Sequence, residues 1–312
     1  MSRQLRADIL LLVITVIWGA SFTLMKNVLD HIPSFAYLAI RFGIAAITMV
    51  LIFHQKLRYI NKKTLIHGFV IGLMLFGGMA LQVTGLYYTT ASNSAFITGM
   101  NVVMVPIISA IMLRKRPDKA STYGVILAFV GLYLLSVTKD FSFCLNFGDF
   151  LTFLCAICFT LQIIFIDKFT VDEDPALLAV LQIGFAAVLY IIVWLIIDFG
   201  KISTQFAAMS SDWSTVVSTL LVTGVLGTAF AFAIQTIAQK DTSPTHTALI
   251  LTAEPVFGAI FALLIPNSLG VTEVLKINTM LGCVLILTGM IISEIKIGKS
   301  EEPNDNIIDG TV

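Results

Sequence analysis

The sequence predicts an all-α integral membrane protein with ten transmembrane helices arranged as two inverted five-helix repeats. Apolar residues make up 57% of the 312 residues, against about 45–50% in soluble domains. Charged residues make up only 12%, against about 25% in such domains. Long apolar runs recur along the whole chain, and one spanning helix needs about 20 apolar residues. A water-soluble fold is therefore disfavoured.

The candidate spans are ten apolar runs separated by charge-bearing segments. The first run continues without a signal-peptide cleavage site, so it is expected to stay as the first span. Asp174 before Pro175 and Ser243 before Pro244 are typical helix-start pairs, which favours a capping role for both polar residues. The runs lie at 8–29, 34–54, 65–87, 93–113, 120–138, 149–167, 175–197, 213–238, 244–265 and 275–295.

Charge narrows the function classes and predicts the topology. The 19 Lys and Arg balance 19 Asp and Glu, so nucleic acid is not expected as a partner. Counted on alternating sides, fourteen basic residues fall on one side and three, Lys139, Lys201 and Lys276, on the other. The side rich in Lys and Arg is the cytoplasmic one. We therefore expect a multi-pass protein of the cell membrane with both termini in the cytoplasm.

Internal repetition divides the chain. A shift of 149 positions pairs Pro106 with Pro255, and a shift of 158 pairs Gly124 with Gly282 and Gly131 with Gly289. Two copies with an odd number of spans must have opposite orientations. The expected organisation is a first repeat over 1–139, a second repeat over 146–297 and a polar cytoplasmic tail over 298–312.

These motifs, in this order, resemble the EamA-type members of the drug/metabolite transporter superfamily. The chain departs from the family where helices four and nine end: Gly-Glu is common there, but Arg114-Lys115-Arg116-Pro117 and Ile265-Pro266-Asn267-Ser268 stand in its place. The matching pieces are Trp18-Gly19-Ala20-Ser21-Phe22 followed by Lys26, Arg41-Phe42, Asn93-Ser94-Ala95-Phe96 leading to Pro106, Gly148-Asp149, and Glu254-Pro255-Val256-Phe257.

The resemblance implies a ten-helix carrier that moves a small-molecule solute, often an amino acid or related metabolite, and frequently exports it. Physical chemistry supports a solute path independently. Pro106 and Pro255 each remove an N–H inside a span, and the freed carbonyls of Val102 and Leu251 need cover or a wet cavity. Inverted-repeat carriers bind substrate at broken helices near the midplane. The alternative is a simple kink compensated by Thr98 or Thr247.

Three charged side chains lie inside the predicted spans. Glu254 is about 15 Å deep, at the middle of the bilayer, and is a candidate for proton coupling or for binding a substrate amine. The alternative for Glu254 is a neutral carboxyl that packs helices together. Arg41 can meet Glu254, although its long stem favours snorkelling outward. Lys26 is expected to pair with Asp30 at the interface.

Mid-span polar side chains are candidates for substrate binding around a central cavity, with interhelical hydrogen bonding as the alternative. They are Trp18, Gln82, Asn101, Gln162 and Gln235. Gly68 and Gly72 form a G-x-x-x-G pattern, which favours close helix packing within the chain over a homodimer.

Enzyme chemistry is not expected. The four histidines lie near span ends or in loops, so they indicate no metal site, and no cofactor is implied. The sequence contains no Walker A motif, which leaves facilitated or ion-coupled transport, with a proton or another ion as the coupling partner. The alternative function is a polytopic membrane protein of another class, a channel or a membrane-embedded enzyme.

Overall fold

The computed structural model describes residues 2–29, 32–136, 146–198, 213–264 and 276–294, and this part of the chain is helical without a strand. The tail over 298–312, Asp30, Lys201 and the side chain of Lys26 lie outside the described residues. The helices are α1 Arg3–Leu29, α2 Ser34–Phe53, α3 Lys62–Leu86, α4 Ala91–Gly99, α5 Asn101–Met112, α6 Lys119–Ser136, α7 Phe147–Phe169, α8 Pro175–Asp198, α9 Trp213–Gly224, α10 Ala231–Ala238, α11 Pro244–Leu251, α12 Glu254–Leu264 and α13 Ile277–Glu294.

Eight helical segments in the described part are long and apolar enough to cross a membrane. This confirms the all-α, multi-pass prediction. The predicted ninth span is divided between α11 and α12, and the predicted tenth corresponds to α13, whose apolar part Ile277–Ser293 is shorter. The total of ten spans therefore stays a prediction. The eight segments are Arg3–Ser21, Ser34–Tyr59, Lys62–Leu86, Asn93–Met112, Lys119–Ser136, Phe147–Phe169, Pro175–Ile197 and Val216–Ala238.

The helices are bounded by side chains that satisfy their unpaired first-turn N–H groups. Asp174 Oδ1 accepts from Leu177 N at 3.0 Å, and Ser243 Oγ accepts from His246 N at 3.2 Å. Both predicted caps are confirmed. Asn61 caps the start of α3 and forms a capping box with Thr64. Polar residues at these helix starts therefore replace water where the chain enters the apolar layer.

Three ion pairs lie at one end of the bundle, which is named the basic end. Lys56 pairs with Asp174, Lys63 with Asp172 and Lys115 with Asp167. The first joins the 54–61 and 170–174 connections, the second joins the start of α3 to 170–174, and the third joins 113–118 to the end of α7. Tyr87 and Ser34 share a hydrogen bond of 3.0 Å at the opposite end, where Thr89 donates to Asp149.

Glycines bring helix backbones into direct contact. A Cβ added at Gly131 would lie 2.6 Å from the Gly282 carbonyl oxygen, and one added at Gly124 would lie 2.5 Å from the Gly289 carbonyl oxygen. The earlier residue of α6 meets the later residue of α13, so these two helices run antiparallel. The four glycines are those that the repeat analysis paired, but they meet crosswise.

The G-x-x-x-G pattern of α3 also serves packing within the chain. An added Cβ at Gly68 would lie 2.4 Å from Leu181 Cβ, and one at Gly72 would lie 2.8 Å from the Gln182 carbonyl oxygen. Both neighbours are on α8. The largest core cluster lies beside this contact and includes Phe42 and Tyr190, whose ring centroids are 4.8 Å apart.

Candidate functional site

One turn of the eighth span departs from α-helical geometry. Residues Val225–Phe230 form a π-helical turn between α9 and α10. Thr228 Oγ1 donates to the Thr223 carbonyl, five residues back, at 2.9 Å, and an added Cβ at Gly227 would lie 2.8 Å from Ser21 Oγ of α1. Such turns are rare and occur frequently at functional sites because they free backbone groups. Here the Gly227 carbonyl oxygen is available to side chains of other helices.

Two side chains from the first half of the chain bind this π turn. Trp18 of α1 donates its Nε1–H to the Gly227 carbonyl at 2.8 Å. Arg41 of α2 donates from Nη2 to the same carbonyl at 3.2 Å and from Nε to Thr228 Oγ1 at 2.6 Å. The predicted residues Trp18 and Arg41 are thus brought together on a feature of the second half.

The Arg41 guanidinium lies inside the bundle. The side chain is only 5% exposed, and its Cζ is 5.9 Å from the centroid of the Tyr37 ring. The position differs from the outward snorkelling that the long stem favoured, because the π turn supplies acceptors inside. A guanidinium has five N–H donors, and two of them are used. Among the described residues no carboxylate lies within 4.0 Å of it.

Glu254 is the carboxylate that acts on Arg41. It is the first residue of α12, half-buried, and the Arg41 charge reaches it electrostatically without a direct ion pair. Gly19 places α12 against α1, since an added Cβ there would lie 2.7 Å from Gly258 N. The helix whose Trp18 binds the π turn is thus also the helix that packs against α12. No described side chain donates a hydrogen bond to the Glu254 carboxyl.

The fourth and ninth spans are both interrupted. Met100 separates α4 from α5 with φ −58° and ψ −13°, and Thr252 ends α11 with φ −64° and ψ −10°. Pro106 lies inside α5, whereas Pro255 is the second residue of α12. The breaks therefore come before the prolines that the sequence singled out.

The other predicted polar residues fall into separate places. Gln82 Nε2 donates to Thr98 Oγ1 at 3.4 Å, and Asn101 is the first residue of α5. Gln162 donates to Gln182 Oε1 at 3.2 Å, inside the bundle. These amides do not share the Arg41 cluster, and their predicted role in solute binding stays a prediction.

A second polar region contains one predicted residue, Gln235, and four that were not predicted. Five buried side-chain oxygen atoms on α5, α7, α11 and the end of α10 have no hydrogen-bond partner among the described residues. Gln239 Nε2 donates to the Ile163 carbonyl at 3.2 Å, which ties the end of α10 to α7, and Ile163 packs with Val105 and Ala248. Unsatisfied buried atoms of this kind normally face water or a ligand. The atoms are Ser109 Oγ, Thr160 Oγ1, Gln235 Oε1, Gln239 Oε1 and Thr247 Oγ1.

Sequence reasoning also missed the partners of Arg41. Thr223, Thr228 and Tyr37 look like ordinary residues of apolar helices. The available signal was the Gly-Thr step at 227–228, because a glycine followed by a back-bonding hydroxyl can widen a turn. The described residues contain no group of three or more His, Cys, Asp or Glu side chains placed to hold a metal ion.

An all-helical bundle with eight candidate spans and charged side chains at its helix discontinuities is a multi-pass membrane protein of the transporter class. Comparison with known proteins identifies the family. The profile of the EamA-like transporter family matches residues 5–137 and 146–294. The chain belongs to this family.

Relatives support the assignment along the whole length. An uncharacterized transporter of Archaeoglobus fulgidus is 32% identical over 299 residues, covering 95% of this chain and 88% of that one. The uncharacterized transporter YyaM of Bacillus subtilis is 27% identical over 297 residues and covers 93% of each chain. A solved crystal structure is similar in fold, with a TM-score of 0.75 at 16% identity over 93% of this chain and 96% of that chain.

Proposed function

We propose that the protein is a secondary transporter that moves a small metabolite, an amino acid or related solute, out of the cell across the cytoplasmic membrane by alternating access. The observation that carries the proposal is the buried Arg41, which has unused N–H donors and acts electrostatically on Glu254, a carboxyl that accepts no hydrogen bond from the described side chains. Charged groups inside a membrane cost several kcal/mol and mark substrate or ion pathways.

The packing of the helices supports two halves in opposite orientations. The antiparallel contact of α6 with α13 is the relation expected between the fifth and tenth spans of an inverted repeat. In such a bundle, one half can rock against the other around a fixed solute site. The family profile also matches the two halves separately.

The path we propose passes the Arg41 cluster and continues along the unpartnered oxygen atoms between α5, α7 and α11. Arg41 and Trp18 would face the solute from the first half, and Glu254 from the second. Glu254 would take up the coupling proton, because it can be neutral when the path is closed and charged when water reaches it.

The first experiment identifies the solute and its direction. Cells that lack or overproduce the protein are compared by metabolite profiling of medium and cytosol. We expect one solute to change reciprocally between the two compartments. If conversion products appear without a compartmental shift, the transporter proposal is wrong and a membrane-embedded enzyme is favoured.

The second experiment separates coupling from binding in proteoliposomes that contain the identified solute. Glu254→Gln preserves the volume but fixes the group as neutral, so proton-driven transport should vanish while solute exchange continues. The matched control is Glu173→Gln, which makes the same change on the 170–174 connection, away from the Arg41 cluster, and should leave both activities unchanged. Unchanged gradient-driven transport in Glu254→Gln would exclude the coupling role, and equal loss of both activities would indicate direct solute binding.

A third experiment tests the topology. In a chain without its own cysteines, a single cysteine at Lys62, on the basic end, should be blocked only by reagents that cross the membrane. A cysteine at the exposed Thr90, on the opposite end, should react from outside. Labelling of position 62 from outside would reverse the orientation.

A further inference from the structure

A groove of about 470 Å³ opens between α5 and α6 on the outside of the bundle. Ligand pockets of proteins typically have about 300–1,000 Å³. Ile107 and Ile126 at its rim are 55% and 54% exposed, so the groove faces the surroundings and not the interior path. Val103, Ala110 and Val125 form its apolar floor and walls. In a bilayer this surface contacts lipid chains.

The backbone turns sharply at the basic end of the groove. Helix α5 ends at Met112, and Arg114 follows with φ 56°, the left-handed conformation that favours glycine. A non-glycine residue in this conformation is strained. The turn brings Arg116 and Pro117 back against the groove, where they form one end of its lining.

Arg116 is the cation that lines the groove. Its neighbour Lys115 is held by Asp167, with 2.7 Å between Nζ and Oδ2. Arg116 is exposed, and within the described ranges no carboxylate lies within 4.0 Å of it. A guanidinium binds phosphate through two parallel N–H bonds, which an ammonium group cannot do.

We propose that this groove binds one anionic phospholipid, with an acyl chain between α5 and α6 and its phosphate on Arg116. An apolar groove open to the bilayer fits the chain, and a free guanidinium at its polar end selects the headgroup. Lipids of the cytoplasmic leaflet carry the required negative charge, and the basic end is the one predicted to face that leaflet. The bound chain would lie against Pro106, which also lines the groove. The site is separate from the Arg41 cluster.

The test is native mass spectrometry of the full-length protein with phosphatidylglycerol or phosphatidylcholine of identical acyl chains. We expect one tightly retained phosphatidylglycerol, with affinity about fivefold above that of phosphatidylcholine, the ratio that one basic residue near the membrane surface provides. Arg116→Gln should lower phosphatidylglycerol binding to the phosphatidylcholine level. Ala110→Trp should fill the groove and weaken both lipids. Lys62→Gln removes a charge from the same end outside the groove and should leave the preference unchanged.

Four results would overturn the proposal. The first is equal binding of both lipids by the unmodified protein. The second is an equal loss of preference in Arg116→Gln and Lys62→Gln, which would indicate general surface charge. The third is lipid retention in Ala110→Trp at the unmodified level. The last is displacement of phosphatidylglycerol by millimolar inorganic phosphate, which would indicate a site for the free anion.

Discussion

The two interrupted spans share one geometry and differ in charge. Each begins with a hydroxyl cap, Thr90 for α4 and Ser243 for α11, followed by a helix of 9 and 8 residues respectively. Each then makes one tight turn and continues as a second helix. That second helix begins with Asn101 in the fourth span but with Glu254 in the ninth.

The same contrast between a charged and a neutral residue holds for α2 and α8. Arg41 and Gln182 occupy corresponding positions, each seven residues after the start of its helix, in α2 and α8. The first half thus supplies the cation together with the amide Asn101, and the second half supplies the acid together with the amide Gln182. The Gln182 amide accepts from Gln162 and donates to Thr236, so both its oxygen and its nitrogen have a partner, whereas Arg41 uses two of its five N–H donors among the described residues. Similar backbones therefore carry different chemistry, with one charged and one neutral residue at each pair of corresponding positions.

The largest expected effect comes from removing the charge difference. Arg41→Gln copies the amide of α8 and should reduce transport at least about thirtyfold, since Arg41 makes two hydrogen bonds and each hydrogen bond to a charged group contributes about 1.5–3 kcal/mol. Initial rates in proteoliposomes measure it, with a thermal melt to confirm folding. Asn101→Ala, at the neutral break, should stay within about threefold. Equal losses in both variants would show that charge does not distinguish the breaks.

The two prolines should differ in how much their replacement changes the stability of the protein. Pro106 lies inside α5, so Pro106→Ala restores an N–H for the Val102 carbonyl and should raise stability by up to about 3 kcal/mol, while slowing transport. Pro255 is at a helix start, where the N–H has no intrahelical partner. Pro255→Ala should therefore change stability by less than about 0.5 kcal/mol. Thermal melts in detergent measure both, and a larger shift for Pro255→Ala would contradict the assignment of the two breaks.

A double-mutant cycle tests whether Arg41 and Glu254 act together. The combined Arg41→Gln and Glu254→Gln variant should be more stable than the sum of the single effects by about 1 kcal/mol, because neither charge is then left alone. The Asn101→Ala and Gln182→Ala pair should be additive within about 0.5 kcal/mol. If the stability effects of Arg41→Gln and Glu254→Gln are additive, the two residues do not interact.

The smallest effect belongs to a charge pair away from both breaks. Partial burial acts to raise the pKa of Asp174, but hydrogen bonds from Lys56 and the Leu177 N–H outweigh it and hold the pKa below 3.8. The stabilisation is present above the unfolded pKa and is lost as the pH falls through the folded value, below about pH 4. Both side chains are exposed, 39% and 44%, so the pair contributes less than about 1 kcal/mol.

Lys56→Gln should therefore flatten the acid limb of the melting temperature by less than about 3 °C. Lys62→Gln, an exposed cation without an ion pair in the described part, is its control. If Lys56→Gln shifts the melting temperature more than Arg41→Gln does, the expectation that buried charges matter more than exposed ones is wrong.

Much of the fold could be predicted because membrane spans are long apolar segments. The predicted boundaries of 34–54 and 175–197 agree closely with α2 and α8, and the Ser243 cap needs only local sequence. The glycines were found through repetition, but their crosswise contact requires two helices that approach from distant parts of the chain.

The site could be predicted only in part. Arg41 and Trp18 were visible as polar residues in apolar runs, whereas their shared acceptor is a backbone carbonyl about two hundred residues away. The π turn depends on Thr228 accepting from Arg41 while it donates to Thr223, which is a tertiary arrangement. No local pattern states whether a long basic side chain turns outward or inward.

The glycine contacts between α6 and α13 also determine how easily these two helices can slide along each other. Side-chain ridges that interlock with grooves act as stops when one helix slides along another. At Gly124 with Gly289 and at Gly131 with Gly282, carbonyl oxygens take the place of such ridges, since each added Cβ would strike the opposite backbone. A substitution at any of the four glycines would wedge the helices apart and also install a stop. Deep mutational scanning should find these positions intolerant as a set.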